Sequence, residues 1–355
     1  MKPISAAILS VSGLTLSDDE KRVLEQANPV GVTLFKRNIQ NKAQVKKLVY
    51  SIKEVIGRSN VFIAVDQEGG RVCRFSTPKW PEYFAQATLG TLKGKDSEEI
   101  TRLHGSLIGT DLRELGVNLN YAPVLDVLYR NTTSALIGRI FSKSEKKVAK
   151  LGEILLKSYQ EQGICTCIKH LPGHGRALVD PHFDLPVLTQ DLSDLEKDFY
   201  PFECVGNLSP MGMTAHIILK KLDSKPVTQS KKAIQQIIRG RIGFKGFLLS
   251  DAIDMHALKG SLTEKTKASL RAGCDAVCYC AGKMDELTEV VKALSPLTDA
   301  ALERLEGMNA VIKKVPSKIN KKACYHRYQE LAQKGQITDA SHDVVETLNK
   351  NKSFR

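Results

Sequence analysis

The fold of this 355-residue chain is decided by a pattern that is clearest in residues 30–65, VGVTLFKRNIQNKAQVKKLVYSIKEVIGRSNVFIAV. Two short β-rich apolar runs, Val30–Phe35 and Val61–Val65, flank the segment Lys42–Ile56, in which apolar residues recur at helical spacing. The pattern predicts a strand, a helix and a second strand. Units of this kind build parallel sheets.

The same alternation continues along most of the chain. The predicted strands are Ala6–Val11, Val30–Phe35, Val61–Val65, Val117–Tyr121, Ile164–Ile168, Met211–His216, Phe247–Ser250 and Ala276–Tyr279, and further helices are predicted at Glu98–Leu115, Lys146–Gln162 and Lys231–Arg239. Eight strands with helical crossovers predict an α/β fold, a (β/α)8 TIM barrel. The alternative is a doubly wound sheet, which would carry a glycine-rich phosphate turn, and neither GxGxxG nor GxxxxGK[ST] occurs.

We expect a single catalytic domain over residues 1–315, followed by a basic C-terminal helix and tail over residues 316–355. No internal repeat or Pro/Gly-rich linker interrupts the first segment. Helical spacing recurs near Tyr325–Gln333, and the sequence beyond it is polar. The second segment is therefore predicted to be a peripheral helix with a partly disordered end.

The composition is that of a globular protein from a reducing compartment. The apolar fraction is 42% and the charged fraction 26%, both ordinary for soluble proteins. Eight cysteines form no CxxC pair, which favours buried thiols over a disulfide framework. The apolar run after Lys2 is short, broken by serines and not followed by a cleavage site, and no stretch approaches the roughly 20 residues that cross a bilayer. We therefore predict a cytoplasmic protein that does not bind membranes.

The formal net charge of +13 raises the question of nucleic-acid binding. The lysines are spread over presumed helix faces and loops, and no aromatic residues alternate with them. This distribution favours a solvated basic surface over a nucleic-acid groove. We expect a monomer whose partner is a small molecule, and the charge would attract an anionic substrate.

Polar side chains follow the predicted strands where those strands end. In a TIM barrel, the carboxyl ends of the strands and the loops after them carry the active site. The segments concerned are Asp66–Arg71, Pro123–Asp126, Lys169–Gly175 with Asp180–His182, His216, and Ser250–Asp251.

Asp251 closes an apolar strand, so its carboxylate is expected to project into the mouth of the barrel. A buried carboxylate needs hydrogen bonds or a cation, and catalytic nucleophiles occupy such places. Two structural roles compete with this interpretation: an N-cap for the next helix, and a salt bridge to a barrel lysine.

The segment from Lys169 to His182 is the second candidate for chemistry. Pro172, Gly173 and Gly175 exclude a regular helix, and the loop brings Asp180 within two positions of His182. A carboxylate beside a histidine orients the imidazole and raises its pKa, which suits general acid/base catalysis near neutral pH. Two alternatives remain open on the residues alone. One is a loop held by side-chain hydrogen bonds, and the other is a metal site built from His170, His174, Asp180, His182 and Asp184.

Several motifs together resemble glycoside hydrolase family 3, and within it the bacterial β-N-acetylglucosaminidases. Residues 169–175, KHLPGHG, with 180–182, DPH, resemble the family's K-H-F-P-G-H-G…D-S-H loop. Residues 65–72, VDQEGGRV, resemble D-Q-E-G-G-R-V, and residues 31–39, GVTLFKRNI, resemble G-V-I-L-F-x-R-N-I. Residues 121–127, 213–216 and 246–251 also match, so the resemblance runs in order from about residue 13 to about residue 282.

The resemblance implies a retaining double displacement without a metal or organic cofactor. Asp251 matches the nucleophile of the family, His182 its histidine acid/base, and Asp180 the carboxylate that polarises the histidine. The residues that match those binding the sugar hydroxyls and the N-acetyl group are Asp66, Arg71, Arg139, Lys169 and His170. Most retaining glycosidases use two carboxylates about 5–5.5 Å apart, so a histidine here is an exception. A neutral base avoids a second negative charge beside the nucleophile.

The implied reaction releases terminal non-reducing N-acetylglucosamine from cell-wall muropeptides, where it is β-1,4-linked to 1,6-anhydro-N-acetylmuramic acid, as in cytoplasmic peptidoglycan recycling. The family's plant and fungal β-glucosidases usually carry a second α/β domain that supplies a carboxylate acid/base. This chain has the Asp–His loop, which favours the N-acetylglucosaminidases.

The chain departs from the family pattern in four places. Ala252 follows Asp251 where a second aspartate is usual, and Asp254 replaces a serine. Pro181 separates the two members of the dyad, the segment ending at Arg139 is one residue short, and residues 128–130, LYR, replace an Asp-Gly. Three alternatives therefore stay open: a metal-dependent hydrolase, a non-catalytic sugar-binding relic, and a phosphorylase that uses phosphate as acceptor.

Overall fold

A computed structural model describes residues 2–181 and 184–334. Eight parallel strands form a closed barrel, in which each strand pairs with its neighbours in chain order. They are β1 (Ser5–Ser10), β2 (Pro29–Leu34), β3 (Phe62–Val65), β4 (Leu119–Asn120), β5 (Cys165–Leu171), β6 (Met211–Thr214), β7 (Phe247–Ala252) and β8 (Ala276–Cys278). The pairing of Ala7 with Val277 joins β1 to β8 and closes the barrel. The predicted (β/α)8 barrel is confirmed.

Helices surround the barrel. The α-helices are α1 (Asp18–Ala27), α2 (Lys42–Ile56), α3 (Gln86–Thr91), α4 (Gly94–Glu114), α5 (Glu145–Glu161), α6 (Glu196–Val205), α7 (Lys231–Ala233), α8 (Leu262–Ala272), α9 (Met284–Ala293), α10 (Asp299–Ile312) and α11 (Lys321–Lys334). Helix α2 has the predicted bounds, because the Asn41 side chain caps its first turn by accepting from the Gln44 N–H, and Gly57 ends it in a left-handed conformation. Two small sheets pair Gln67–Gly69 with Val72–Cys73, and Val187–Leu188 with Ile218–Leu219.

The helix predicted at Lys231–Arg239 differs in form. Helix α7 is a single turn that continues as a π-helix over Ile234–Arg241. At its end, Arg239 donates to the carbonyl oxygens of Phe244 and Gly246 at 2.9 and 2.7 Å and pairs with Asp275 at 3.0 Å. These tertiary contacts hold the wide helix against the start of β7, and local periodicity does not encode them.

Apolar side chains from the eight strands fill the barrel interior. Ile8 and Leu249 belong to this interior cluster, whereas Leu9 and Leu248 belong to a second cluster under the helices, as the two-residue period of a strand requires. Helix α10 adds Met308 to the interior cluster at the amino ends of the strands. The barrel is therefore a packed core, and the site is built at the carboxyl ends of the strands.

The predicted C-terminal helix is present as α11, and it is less peripheral than expected. Its Tyr328 and Leu331 are completely buried, and it packs against α4. Lys321 forms an ion pair with Asp111, and Arg327 pairs with Glu99 at 2.8 Å. The predicted tail after this helix lies outside the described residues, and the division of the chain at residue 315 stays a prediction.

All eight cysteines are free thiols, and most of them are buried. Across residues 2–181 and 184–334, no helix is long and apolar enough to cross a membrane.

Candidate active site

The carboxyl ends of the barrel strands surround a cavity of about 510 Å³. Its lining includes seven of the eight residues that the sequence predicts for the site: Asp66, Arg71, Arg139, Lys169, His170, Asp180 and Asp251. The eighth, His182, lies outside the described residues. A second cavity, of about 660 Å³, lies at the opposite end of the barrel beside Pro210 and Gly246, and none of the predicted residues lines it.

Asp251 is held as an anion at the end of β7. Its Oδ1 accepts a hydrogen bond from the Ala252 N–H at 2.8 Å, and its own N–H donates to Thr214 Oγ1 at 3.3 Å. Burial acts to raise the pKa of this carboxyl, but the pKa is lowered overall, because His216, His170 and the Ala252 N–H favour the charged form. A carboxylate that is ionised and reaches a cavity has the properties of a nucleophile.

Neither of the two structural roles considered for Asp251 is found. The next helix, α8, is capped by Ser261, whose side chain accepts from the Glu264 N–H. Lys169, a lysine at the barrel mouth, lies instead within ion-pair distance of Asp66 and Glu68. Among the described residues, no lysine or arginine forms an ion pair with Asp251.

His216 supports the backbone beside Asp251. Its Nε2 lies 2.9 Å from the Ala252 carbonyl oxygen, and its Nδ1 lies 2.8 Å from Thr228 Oγ1. A carbonyl oxygen can only accept, so Nε2 carries the hydrogen. Burial lowers the pKa of His216, which keeps the ring neutral near pH 7, with Nδ1 as an acceptor. The sequence places His216 at a strand end but gives it no role, because its partner Thr228 lies in a later loop.

A network of two carboxylates and three cations forms one wall of the cavity. Lys169 Nζ lies 2.9 Å from Asp66 Oδ1 and 2.6 Å from Glu68 Oε1. Arg139 binds Glu68 through Nε at 2.9 Å and Nη2 at 2.8 Å, and Arg74 pairs with Asp66 at 3.0 Å. Burial alone would raise the pKa of both carboxyls, but the adjacent cations lower it, so both are ionised.

Two members of this network were not predicted. Glu68 lies within the quoted motif VDQEGGRV, so its presence near the site had a signal, but its bidentate pairing with Arg139 had none. Arg74 follows that motif and carries no sequence signal. The network also gives Arg139 a definite place despite the shortened segment before it, because its guanidinium is held by Glu68 and by the Ala135 carbonyl at 3.3 Å.

His170 is oriented by a buried aspartate. Asp126 Oδ2 lies 2.8 Å from His170 Nδ1, and Asp126 Oδ1 accepts from the His174 N–H at 2.7 Å. The pKa of Asp126 is lowered although burial opposes this, because both histidines favour its anion. Nδ1 of His170 therefore donates to a carboxylate, and its ring lines the cavity. The sequence marked Asp126 as a strand-end residue but not as the partner of His170.

The loop that carries the predicted dyad lines the same cavity through Asp180 and Pro181. The Pro181 carbonyl accepts from the Ala257 N–H at 3.2 Å, which ties the loop to the segment after β7. Arg71 donates through Nη2 to the carbonyl oxygens of Ser134, at 3.0 Å, and Ala135. Burial and Arg139 lower the pKa of Arg71, and Asp180 counteracts them, so Asp180 acts on the same wall electrostatically.

The metal interpretation of the loop finds no support in the part of the chain that the structure describes, where no three His, Cys, Asp or Glu side chains come together as ligands. His170 is bound to Asp126 through one ring nitrogen. His174 is buried, and burial lowers its pKa to about 4.

Two of the departures from the family pattern have a visible role. Asp254, in place of serine, lines the cavity, and its Oδ1 accepts from the Cys280 N–H at 2.9 Å. Tyr129, in place of the usual Asp-Gly, donates to Asp198 at 3.0 Å and packs its ring 4.2 Å from the Arg176 guanidinium. Arg176 in turn pairs with Asp198 at 2.7 Å, so Tyr129 anchors the beginning of the dyad loop.

Comparison with known proteins agrees with this architecture. Residues 5–307 match the model of the glycosyl hydrolase family 3 N-terminal domain. The β-hexosaminidase of Bordetella avium is 34% identical over 314 residues, 86% of this chain and 88% of that protein, and the β-hexosaminidase of Neisseria meningitidis serogroup C is 36% identical over 298 residues, 81% of each. The crystal structure of NagZ from Neisseria gonorrhoeae in complex with N-trifluoroacetyl-D-glucosamine aligns with a TM-score of 0.83 at 30% identity, over 93% of this chain and 98% of that chain. The chain therefore belongs to glycosyl hydrolase family 3 and is a glycoside hydrolase.

Proposed function

We propose that the chain is an exo-acting, retaining β-N-acetylglucosaminidase. The observation that carries this proposal is the ionised Asp251 at the cavity, with the predicted sugar-binding residues Asp66 and His170 on the same cavity. The names of its relatives support the substrate class, because two are β-hexosaminidases and a third was crystallised with an N-acylated glucosamine.

In the first step, Asp251 attacks the anomeric carbon while the bond to the leaving oxygen breaks. Because Oδ1 is held by the Ala252 N–H, Oδ2 is the attacking atom. His182 gives its proton to the leaving oxygen, so the aglycone departs as an alcohol and the sugar remains as an ester of Asp251. In the second step, a water molecule gives its proton to His182, and its oxygen attacks the anomeric carbon. The ester bond breaks, the carboxylate is restored, and the two inversions give net retention.

Asp180 and the cavity wall assist this chemistry. A carboxylate beside His182 raises the pKa of the imidazole, so that it carries a proton when the glycosidic bond breaks. On the wall, Lys169 is a three-fold donor whose two printed contacts go to Asp66 and Glu68. A further N–H of Lys169, the ring of His170 and the oxygens of Asp66 are positioned to bind sugar hydroxyls.

We further propose that the natural substrate is a muropeptide in which N-acetylglucosamine is β-1,4-linked to 1,6-anhydro-N-acetylmuramic acid, cleaved in the cytoplasm during peptidoglycan recycling by a monomer without a metal cofactor. Muropeptides carry carboxylates on the lactyl group and the stem peptide. The net charge of +13 would attract such anions and increase their rate of encounter.

The decisive experiment compares the release of 4-nitrophenol from the β-N-acetylglucosaminide and from the β-glucoside. We expect clear turnover of the first only, with retained anomeric configuration in the first sugar product observed by NMR. Assays with EDTA and with added phosphate test the metal-dependent and phosphorylase alternatives. Turnover of neither glycoside, with binding of N-acetylglucosamine preserved, would identify a sugar-binding relic and refute the proposal.

A further inference from the structure

Helix α11, which lies beyond the residues matched by the family model, reaches the sugar-binding wall through a line of buried hydrogen bonds. Tyr328 of α11 and His104 of α4 are both fully buried. Tyr328 Oη lies 2.9 Å from His104 Nδ1, and His104 Nε2 lies 3.0 Å from the backbone carbonyl oxygen of Glu68. The same Tyr328 oxygen accepts from the Phe84 N–H at 2.9 Å.

The donors and acceptors along this line can be assigned without ambiguity. The Glu68 carbonyl can only accept, so His104 Nε2 carries a hydrogen. Burial lowers the pKa of His104 to about 4, so the ring is neutral at pH 7 and its Nδ1 accepts. The Tyr328 hydroxyl therefore donates to His104 while it accepts from Phe84. Each of the two side chains has one partner on either side, and neither has a spare partner among the described residues.

The line holds both sides of a tight backbone turn. Gly69 follows Glu68 with φ near +99°, and a Cβ on it would come within 2.2 Å of the Phe84 carbonyl oxygen and 2.8 Å of the His104 ring. Phe84 stacks on Tyr328 with ring centroids 5.1 Å apart. Tyr328 thus fixes the two walls, Phe84 and His104, between which Gly69 is packed.

The clamped turn carries the side chain that orders two cations of the site. The Glu68 carboxylate binds Lys169 at 2.6 Å and Arg139 at 2.8 and 2.9 Å. A shift of the Glu68 backbone would move this carboxylate, and the cations with it. We propose that Tyr328 and His104 are positioning residues that set the place of Lys169 and Arg139 in the cavity, so that α11 acts on sugar affinity. The proposal rests on the proposed function and deepens it.

A purely structural role would give a different result, and the chain offers a matched control. Tyr328→Phe removes one hydroxyl and leaves the packing of α11 in place. Leu331→Val removes one methylene from the same buried face, with a loss of stability of comparable size, but it leaves the hydrogen-bonded line intact. If α11 matters only for stability, the two variants will behave alike at the site.

The test measures kcat and KM for a 4-nitrophenyl β-N-acetylglucosaminide, together with calorimetric binding of N-acetylglucosamine. For Tyr328→Phe we expect KM and Kd to rise by roughly five-fold, which corresponds to about 1 kcal/mol, while kcat changes by less than about two-fold. For Leu331→Val we expect both constants to stay near those of the wild type, although its melting temperature falls.

Two outcomes would overturn the positioning role. One is an unchanged KM and Kd in Tyr328→Phe, and the other is an equal rise in both variants, which would assign the effect to stability. A wild-type protein that binds N-acetylglucosamine without turnover would refute the proposed hydrolysis, and the Kd comparison would still decide the role of Tyr328. A wild type that neither binds nor hydrolyses would overturn both proposals.

Discussion

Glu68 is the residue on which the cavity wall depends most, and its replacement by glutamine tests that dependence. Its side chain is 1% exposed, and its carboxylate binds Lys169 at 2.6 Å and Arg139 at 2.8 and 2.9 Å. Glutamine keeps the shape, removes the charge and turns N–H donors toward a cation. Lys169 would keep Asp66 as a partner at 2.9 Å, whereas Arg139 would lose the carboxylate that binds it at two points.

We expect Glu68→Gln to lower the free energy of unfolding by about 3–5 kcal/mol, which is the cost of leaving a buried charge without its partner. The matched control is Glu153→Gln. Glu153 lies 2.6 Å from Lys157, the same distance that separates Glu68 from Lys169, but these side chains are 39% and 55% exposed. Water screens such a pair, so we expect a loss of about 0–0.5 kcal/mol. With distance and chemistry matched, the difference measures the effect of burial.

The assay is urea unfolding followed by fluorescence, for which the chain has a single, buried tryptophan, Trp80. The midpoint and slope give the free energy of unfolding of each variant. A loss in Glu68→Gln that is no larger than the loss in Glu153→Gln would show that the buried network does not hold the wall, and would contradict the reasoning above.

The remaining predictions concern chemistry and pH. Asp251→Asn is expected to abolish turnover without lowering the melting temperature, and activity above a few per cent would place the nucleophile elsewhere. His182→Ala is expected to slow the natural disaccharide more than the 4-nitrophenyl glycoside, because a good leaving group needs little protonation; equal losses in kcat/KM would rule out an acid role. Because folding lowers the pKa of Asp66, its contribution to stability is complete above the unfolded value of about 3.9 and declines as the pH falls below it, which melting temperatures between pH 7 and pH 3 can check. Burial raises the pKa of Asp254, so Asp254→Asn is expected to raise the melting temperature at pH 7, and a decrease would mean that its charge is needed.

The strands could be predicted because each is a short apolar run, and their ends were less predictable. The run Val117–Tyr121 gives only β4, Leu119–Asn120. The Asn118 side chain accepts from the Ile63 N–H at 2.7 Å, a bond that a strand ladder would give to a backbone oxygen. An asparagine side chain that competes with the backbone shortens a strand, and the hydrophobic pattern cannot reveal it.

The site was predictable where motifs supply a signal and not where partners come from distant parts of the chain. Asp251 and His170 were expected at the cavity because each ends a strand. The pairing of His170 with Asp126 spans 44 positions and that of Tyr328 with His104 spans 224, so only the folded barrel brings them together. These supporting residues fix how the predicted side chains are oriented, and their effect cannot be inferred from spacing.

The closure of the barrel between β1 and β8 has a consequence for biosynthesis. Ala7 leaves the ribosome early, yet its partner Val277 is made 270 residues later. At about 5–20 residues per second, the edge of β1 stays unpaired for roughly 14–54 s. An exposed strand edge is a template for intermolecular pairing. Nascent chains on one messenger therefore carry their most association-prone surface through most of translation, and chaperone demand is set by elongation speed more than by the stability of the finished barrel.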